Sequence, residues 1–148
     1  YRARSHWSEQ PDYVDTWPRA RQGRHSRREL HPAIAALHVE HHFKKGQYSP
    51  SYSGFEGYED NTDSIPSREQ VASDMATGRT LAVALESAGI ECVDVVGLAE
   101  SHCVKETALA PVSLDLKCMS SKNLTEPVSE ELGIAARQQM LSAGIILD

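Results

Sequence analysis

The chain has 148 residues and a formal net charge of −6 at pH 7. A chain of this length can form one domain with a substantial hydrophobic core. The acidic balance argues against a nucleic-acid partner, which usually meets a basic face. No apolar run approaches the roughly 20 residues that span a bilayer. We therefore expect a globular protein with neither a nucleic-acid nor a membrane partner.

The first 30 residues contain Pro11, Pro18 and Gly23 among many charges and show little periodicity, which predicts a loop. Residues 31–40 predict a short helix with Pro32 in its first turn. Residues 41–46 predict a short strand. The polar stretch 47–67 is rich in Gly and Ser, and its length is typical of a functional loop.

The remainder of the chain has a regular pattern of alternating strands and helices. Strands that alternate with helices of this length predict βαβ units, and hence a three-layer αβα fold of class α/β with a mostly parallel sheet. In chain order the sequence predicts a helix over 80–89, a strand over 91–99, a helix from about Cys103, a weak strand near Cys118, a helix over 127–144 and a strand over 145–148.

Three cysteines give an odd count without CxxC spacing: Cys92, Cys103 and Cys118. This usage favours reduced thiols and a cytoplasmic location over a disulfide framework or a zinc ribbon. Cys92 and Cys118 fall in apolar strand patterns, where we expect buried structural thiols. Cys103 has different surroundings and is the candidate for chemistry.

Cys103 lies in the segment VVGLAESHCVKETA, where an apolar strand ends and a helix begins. Ligands of parallel sheets bind at the carboxyl ends of strands. The unpaired N–H groups and the positive dipole end of a helix favour a thiolate and can hold an oxyanion. Ser101 is a candidate N-cap. The alternative is an inert cysteine of an α/β core.

A cysteine hydrolase also needs a partner that keeps the thiolate charged, and Lys45 is the candidate. Lys45 lies at the end of the strand predicted over 41–46. Neighbouring strand ends of a parallel sheet converge on one crevice, so Lys45 can reach a nucleophile there. Lys44 points to the other face by alternation, and we expect it to be solvated.

Two blocks of the sequence, FKKGQYSPSYSGFEG and DVVGLAESHCV, together resemble the nicotinamidase/pyrazinamidase family of cysteine hydrolases, which has the isochorismatase-like fold. PDYVDTWP, ELHPAI and LTEPVSEELGIAARQQMLSAGI resemble further segments of the family, so the resemblance touches most of the chain. It implies one isochorismatase-like, Rossmann-like hydrolase domain over residues 1–148. The N-terminal strands of the fold are expected before Tyr1, outside this sequence.

The resemblance also implies an activity and a set of site residues. Cys103 attacks an amide carbonyl, and Lys45 belongs to its catalytic triad. The N–H groups of Ala99 and Cys103 form the oxyanion hole, next to a cis peptide bond between Leu98 and Ala99. The reaction turns nicotinamide and water into nicotinate and ammonia through an acyl-enzyme, in NAD salvage. The residues implied to line the ring pocket are Trp17, Tyr52 and His102.

A divalent metal ion (zinc, iron or manganese) sits beside the pocket in this family, and His6 matches one of its ligands. An Asp-x-His pair with two further ligands, and the Asp that completes the triad, are expected before Tyr1. Ala20 and Arg21 replace a His and a Cys that the family usually has. A divalent ion needs several protein ligands, so we expect this chain alone to bind the metal poorly.

Two local features depart from the expected pattern. Pro111 falls inside the helix that Cys103 begins, where it would break the helix at a cost of about 3 kcal/mol. The polar run Ser120–Asn123 stands where a central parallel strand should be apolar.

Two interpretations from different classes stay open. The first is an amidohydrolase of the nicotinamidase type that acts on a small-molecule amide and is weak as these 148 residues alone. The second is a non-catalytic relative that acts as a binding or interaction module. A redox thiol protein ranks third, because no resolving cysteine lies near Cys103 in sequence. A missing first strand would leave sheet edges unpaired, which favours either oligomerisation, into a homo-oligomer, or aggregation of this chain.

Overall fold

The structure is a computed structural model that describes residues 7–8, 17–18, 32–37, 39–48, 50–62, 66–114 and 116–148. The described residues group into two compact units, which meet in sequence at Glu40 and His41. The prediction of one domain over residues 1–148 stays a prediction.

The amino-terminal unit contains a pair of two-residue parallel strands, β1 (Trp7–Ser8) and β2 (Trp17–Pro18). Their positions fall in the region predicted to be loop. Helix α1 (Pro32–Ala35) follows. Its first residue is Pro32. Proline is well tolerated there, because an N–H at this position would have no acceptor within the helix. The helix predicted over 31–40 is therefore present but shorter than expected.

The larger unit, from His41 onward, alternates short strands with helices. Its helices are α2 (Arg68–Thr77), α3 (Leu81–Ser87), α4 (Lys105–Leu109) and α5 (Glu130–Ser142). Its strands are β3 (Phe43–Lys44), β4 (Tyr58–Glu59), β5 (Cys92–Asp94), β6 (Gly97–Leu98), β7 (Lys117–Ser120), β8 (Thr125–Glu126) and β9 (Ile146–Leu147).

Three parallel strands in the order β5–β7–β9 form the central sheet of this unit. A second parallel pair joins β6 to β8, and β3 pairs antiparallel with β4. The hydrophobic core lies between the central sheet and helices α4 and α5. The buried residues of this core are Ala108, Cys118, Met140 and Ile145. Parallel strands covered by helices confirm the predicted α/β class.

The segment predicted as one strand over 91–99 is divided into β5 and β6. These strands have different partners, because β5 pairs with β7 whereas β6 pairs with β8. Gly97 has a φ of +123°, a backbone conformation that side-chain-bearing residues rarely adopt. The chain thus changes its direction and its partner just before the candidate nucleophile.

Helix α2 lies in a stretch for which the sequence predicted no helix. Only Val71 is buried along it, so there was no apolar stripe from which to predict it. The helix is instead defined by its beginning, where the Ser67 hydroxyl accepts a hydrogen bond from the Gln70 N–H.

The departure at Pro111 takes effect as expected, whereas the polar run is accommodated where it begins, at Ser120. The helix after Cys103 changes from α to 3-10 geometry over Ala110–Leu114, at the position of Pro111. Strand β7 ends at Ser120, which is buried. Its hydroxyl donates to the Val95 carbonyl at 2.9 Å, so burial leaves this polar group satisfied.

The two strand cysteines have opposite environments. Cys118 is buried as predicted, and burial raises the pKa of its thiol to about 11, with smaller contributions from Cys92 and Asp94. The prediction that Cys92 is buried is wrong. Cys92 is exposed because it alternates with Val93 along β5 and points away from the helices.

No helix in the described part of the chain is long and apolar enough to cross a membrane.

Neighbouring residues of α5 offer a test of this core. Met140 is 0% exposed and Leu141 is 58% exposed. We expect Met140→Ala to lower the free energy of unfolding by about 2–5 kcal/mol, because it leaves a cavity in the core. Leu141→Ala should change it by less than about 0.5 kcal/mol. Chemical denaturation of both variants checks this, and equal losses would contradict the described orientation of α5.

Candidate active site

Cys103 lies in a π-helical turn, Glu100–Val104, that follows directly on β6. The carbonyl of Ala99 accepts the N–H groups of His102 at 3.0 Å and of Val104 at 3.2 Å, the two neighbours of Cys103. The five-residue step from Ala99 to Val104 defines the π geometry, which is frequent at functional sites. The turn begins just after β6 and continues into α4. Cys103 therefore stands at the carboxyl end of a strand, as predicted.

Two details of this turn bear on the sequence predictions. The peptide bond between Leu98 and Ala99 is cis, as the resemblance implies. The prediction that Ser101 is the N-cap is wrong, because Ala99 occupies that position and Ser101 lies inside the turn. The Ser101 hydroxyl instead accepts the Val128 N–H at 3.2 Å and lies 2.9 Å from His102 Nδ1.

Lys45 meets Cys103 across 58 positions of sequence. Its Nζ lies 3.4 Å from Cys103 Sγ. The same Nζ donates to the Ser51 carbonyl at 3.0 Å, which restrains the side chain. A unit charge at this distance is one of the strongest influences that a side chain can exert on a sulfur. The structure therefore brings together the two residues predicted as nucleophile and partner.

Lys44 points to the opposite face of β3, as alternation predicts, but it is not solvated. Its Nζ lies 2.8 Å from Asp60 Oδ2, and its side chain is only 20% exposed. Hydrogen bonds from Lys44 and from Thr62 hold the pKa of Asp60 at about 2. The expectation of a solvated Lys44 is wrong because Asp60, the residue after β4, lies beside it as an acidic partner.

The loop that carries Tyr52 is held by a capping box. The Ser53 hydroxyl accepts the Phe55 N–H, and the Glu56 carboxylate accepts the N–H groups of Tyr52 at 3.0 Å and Ser53 at 2.9 Å. The S-x-x-E pattern of SGFE is a recognised sign of this arrangement. The sequence predictions omitted Glu56 as a site residue, although the S-x-x-E pattern was visible in the sequence.

A second contact ties this loop to the helix that follows Cys103. The Gly54 N–H donates to Thr107 Oγ1, on α4, at 2.8 Å. A Cβ on Gly54 would meet Thr107 Cγ2 at 3.4 Å, so the loop approaches α4 closely. The polar stretch predicted as a functional loop is thereby ordered against the Cys103 segment.

Tyr52 and His102, two of the residues predicted to line a ring pocket, are neighbours. Their ring centroids lie 5.6 Å apart with an interplanar angle of 49°. Burial lowers the pKa of His102, the charge of Lys105 lowers it further, and Glu106 opposes them. This lowered pKa favours the neutral imidazole, and the two rings form one aromatic wall.

Two cavities adjoin this arrangement. One of about 270 Å³ has Lys45, Tyr48 and Arg68 in its wall, and one of about 390 Å³ has Tyr52 and Glu106. Cys103 is part of the lining of neither cavity. We therefore locate the candidate site by the contact between Lys45 and Cys103 rather than by cavity volume.

Some predicted site residues are not joined to this arrangement. Trp17 lies in β2 of the amino-terminal unit, and its place in the ring pocket stays a prediction. His6, predicted as a metal ligand, lies outside the described residues, as do Ala20 and Arg21. No three His, Cys, Asp or Glu side chains of the described ranges are grouped to hold a metal ion.

An ion pair that the sequence did not predict stands next to the nucleophile. Glu100 begins the π-helical turn, is 2% exposed and accepts a hydrogen bond from Arg137 Nη1 at 2.7 Å. An acidic residue directly after the apolar strand segment VVGLA was a visible signal of an unusual environment. Nothing in the sequence pointed to its partner 37 positions away on α5.

Comparison with known proteins gives this geometry a family. No family model matches the chain. The nicotinamidase/pyrazinamidase of Mycobacterium tuberculosis is 33% identical over 142 residues, which is 96% of this chain and 68% of that protein.

Solved structures are similar over smaller parts of their length. PnC1 from L. infantum, in complex with nicotinate, is 28% identical with a TM-score of 0.49 over 66% of this chain and 41% of that one. The Acinetobacter baumanii nicotinamidase is 26% identical with a TM-score of 0.48 over 66% and 40%. The yeast nicotinamidase Pnc1p is 22% identical with a TM-score of 0.49 over 66% and 39%. The chain thus matches about two fifths of the length of these solved proteins.

The family membership rests on the curated relative, because that likeness extends over almost the whole of this chain. It agrees with the α/β class and with the resemblance in the two blocks that contain Lys45 and Cys103. The predicted family is confirmed: the chain belongs to the nicotinamidase/pyrazinamidase family.

Proposed function

We propose that this chain is part of an amidohydrolase that converts nicotinamide and water into nicotinate and ammonia. The observation that carries the proposal is the 3.4 Å contact between Lys45 Nζ and Cys103 Sγ. Membership of the nicotinamidase family supports the substrate. Because the chain spans 68% of the curated relative and about two fifths of the solved ones, the activity of the whole protein is part of the proposal.

Cys103 is the proposed nucleophile. Its sulfur attacks the amide carbonyl carbon, and the electron pair of the C=O bond becomes an oxyanion. We assign that oxyanion to the N–H groups of Ala99 and Cys103, which follow on β6. The C–N bond then breaks, the nitrogen takes up a proton and leaves as ammonia, and a thioester remains. Water attacks the thioester and releases nicotinate and the thiol.

Lys45 is the proposed electrostatic partner of the sulfur. Its ammonium is held at two points, Cys103 Sγ and the Ser51 carbonyl, so its charge stays beside the reacting atom. A preorganised charge needs no rearrangement when the sulfur becomes negative. The resemblance assigns the proton transfers to the Asp of the family's catalytic triad.

The wall formed by Tyr52 and His102 is the proposed surface for the substrate ring. An uncharged wall suits a neutral heteroaromatic ring, because a cationic imidazole would have to lose hydration on contact. Trp17 is proposed as a further part of this pocket. A small-molecule amide is thus the proposed partner, as the substrate. We assign the proposed reaction to NAD salvage in the cytoplasm.

A divalent ion (zinc, iron or manganese) is proposed for the whole protein, with His6 as one ligand. The described residues do not fit such an ion, because they contain no group of three suitable ligands. No step of the mechanism above passes through a metal. Self-association into a homo-oligomer remains a prediction from the sequence.

Lys44 and Lys45 give a matched test of the proposal. We expect Lys45→Met to lower kcat/KM for ammonia release from nicotinamide by at least about 100-fold, and Cys103→Ala to abolish it. Lys44→Met removes the largely buried ion pair with Asp60 but leaves the contact between Lys45 and Cys103, so kcat/KM of the folded variant should stay within about threefold of the wild type.

The assay uses the 148-residue chain and any longer protein that its reading frame encodes upstream of Tyr1. Equal losses in the two Lys variants, with both folded, would contradict the role of Lys45. Absence of ammonia from every folded form, combined with saturable binding of nicotinate, would favour the binding module.

The neutral state of His102 gives a prediction on pH. Its imidazole should titrate with a midpoint below the usual pKa of 6.5, because it is partly buried beside Lys105. As pH falls below 6.5, the unfolded chain binds this proton before the folded one does. Stability contributed by neutral His102 is therefore complete above pH 6.5 and is lost as pH falls through the lowered folded value.

An NMR titration of the His102 ring proton, assigned by its disappearance in His102→Asn, measures the midpoint. The free energy of unfolding of His102→Asn should lack this part of the decline on acidification. A midpoint at or above 6.5 would mean that the proposed ring surface carries charge at neutral pH.

A further inference from the structure

The π-helical turn of Cys103 is docked on the α5 segment through the first two of its residues. Glu100 accepts a hydrogen bond from Arg137 Nη1 at 2.7 Å. Ser101, the next residue, accepts the N–H of Val128, two residues before α5, at 3.2 Å. Both residues are buried. The nucleophile is thus positioned by contacts with a segment that is remote in sequence.

Arg137 holds two carboxylates with very different exposure. Nη1 meets Glu100, whose side chain is 2% exposed, and Nη2 meets Glu130 at 2.8 Å, whose side chain is 75% exposed. An exposed pair contributes little, because water solvates both partners in its absence. A buried carboxylate that loses its partner keeps an uncompensated charge. The contact with Glu100 is therefore the one on which the turn depends.

Gly133 provides the space in which the Arg137 guanidinium lies. A Cβ at this position would stand 3.1 Å from Arg137 Nη1 and 2.8 Å from Pro127 Cγ. Gly133 is buried inside α5, where glycine is a poor helix former. The absence of a side chain at Gly133 thus leaves room for Pro127 and for the Arg137 guanidinium beside it.

We propose that Arg137 is a positioning residue of the candidate active site, which acts on Cys103 by neutralising and orienting buried Glu100. The proposal rests on the proposed function in that Cys103 is taken as the nucleophile. Without Arg137, Glu100 either stays buried as an unpaired charge or turns toward water and displaces the turn. Either change alters the surroundings of the thiol within the same turn.

Other charged or titratable groups also surround Cys103. Lys45 contacts its sulfur, His102 precedes it in the turn, and Lys105 and Glu106 form an ion pair of 2.7 Å just after it. All of them are retained when Arg137 is replaced. A change in the reactivity of Cys103 on that replacement therefore reports on Glu100 and its partner.

The test is the rate constant for alkylation of Cys103 by iodoacetamide at pH 7 in the folded chain, followed by mass spectrometry of its peptide. Exposed Cys92 is alkylated in the same sample and serves as the internal reference. We expect Arg137→Met to slow alkylation of Cys103 roughly tenfold at an unchanged rate for Cys92. The double variant Glu100→Gln, Arg137→Met removes both charges and should return to within about threefold of the wild type.

Glu130→Gln is the matched control, because it breaks only the exposed half of the same network. It should leave both alkylation rates unchanged. A purely structural ion pair would lower the melting temperature of Arg137→Met without slowing Cys103 at a temperature where the variant is folded, and that result overturns the proposal. If Arg137→Met does not fold by circular dichroism, Arg137→Lys decides. This variant keeps the charge but replaces the planar guanidinium, whose Nη1 meets Glu100 and whose Nη2 meets Glu130, by a single ammonium. Slower alkylation of Cys103 then supports the orienting role of Arg137, and an unchanged rate overturns that role.

Alkylation requires no amide substrate, so the two proposals can fail separately. Slower alkylation in Arg137→Met without ammonia release from the wild type would support the positioning role and contradict the amidase. Ammonia release from the wild type with unchanged alkylation in Arg137→Met would support the amidase and contradict the positioning role.

Discussion

The contact between Lys45 and Cys103 is the constraint on which the arrangement of this chain depends. A lysine ammonium and a thiol can meet at 3.4 Å only if β3 and the turn after β6 end at the same place. The ammonium is desolvated as it approaches the sulfur, and the Ser51 carbonyl replaces part of its lost hydration. The polar contact is therefore stable only while the loop after β3 keeps its conformation.

The surrounding structure supports each side of that contact by a different device. On the lysine side, the capping box of Ser53 and Glu56 orders the loop, and Thr107 joins it to α4. On the cysteine side, buried hydrogen bonds join the π-helical turn to the α5 segment. A site is precise when neighbouring residues fix the positions of its side chains. Much of the packing described above therefore serves to hold Lys45 and Cys103.

Short-range patterns predicted more of this protein than long-range ones could. The block around Lys45, the block around Cys103 and the interruption at Pro111 are local features, and the structure has each of them where the sequence indicates. The environment of Lys44 was mispredicted because its partner Asp60 arrives through the pairing of β3 with β4, which alternation alone does not specify. Cys92 was mispredicted for a related reason, since a single apolar strand does not reveal which of its faces the helices cover.

The change of geometry after Leu109 has a consequence for how charge is distributed at the thiol. The π, α and 3-10 turns follow one another without a break from Glu100 to Leu114, so their peptide dipoles point the same way and the partly positive end lies in the turn of Cys103. The effect of a helix end falls off within one turn, so the partly negative end near Leu114 has little influence on the sulfur. The proline therefore tightens the far end of the helical run without removing the positive potential that its first turn creates at the thiol.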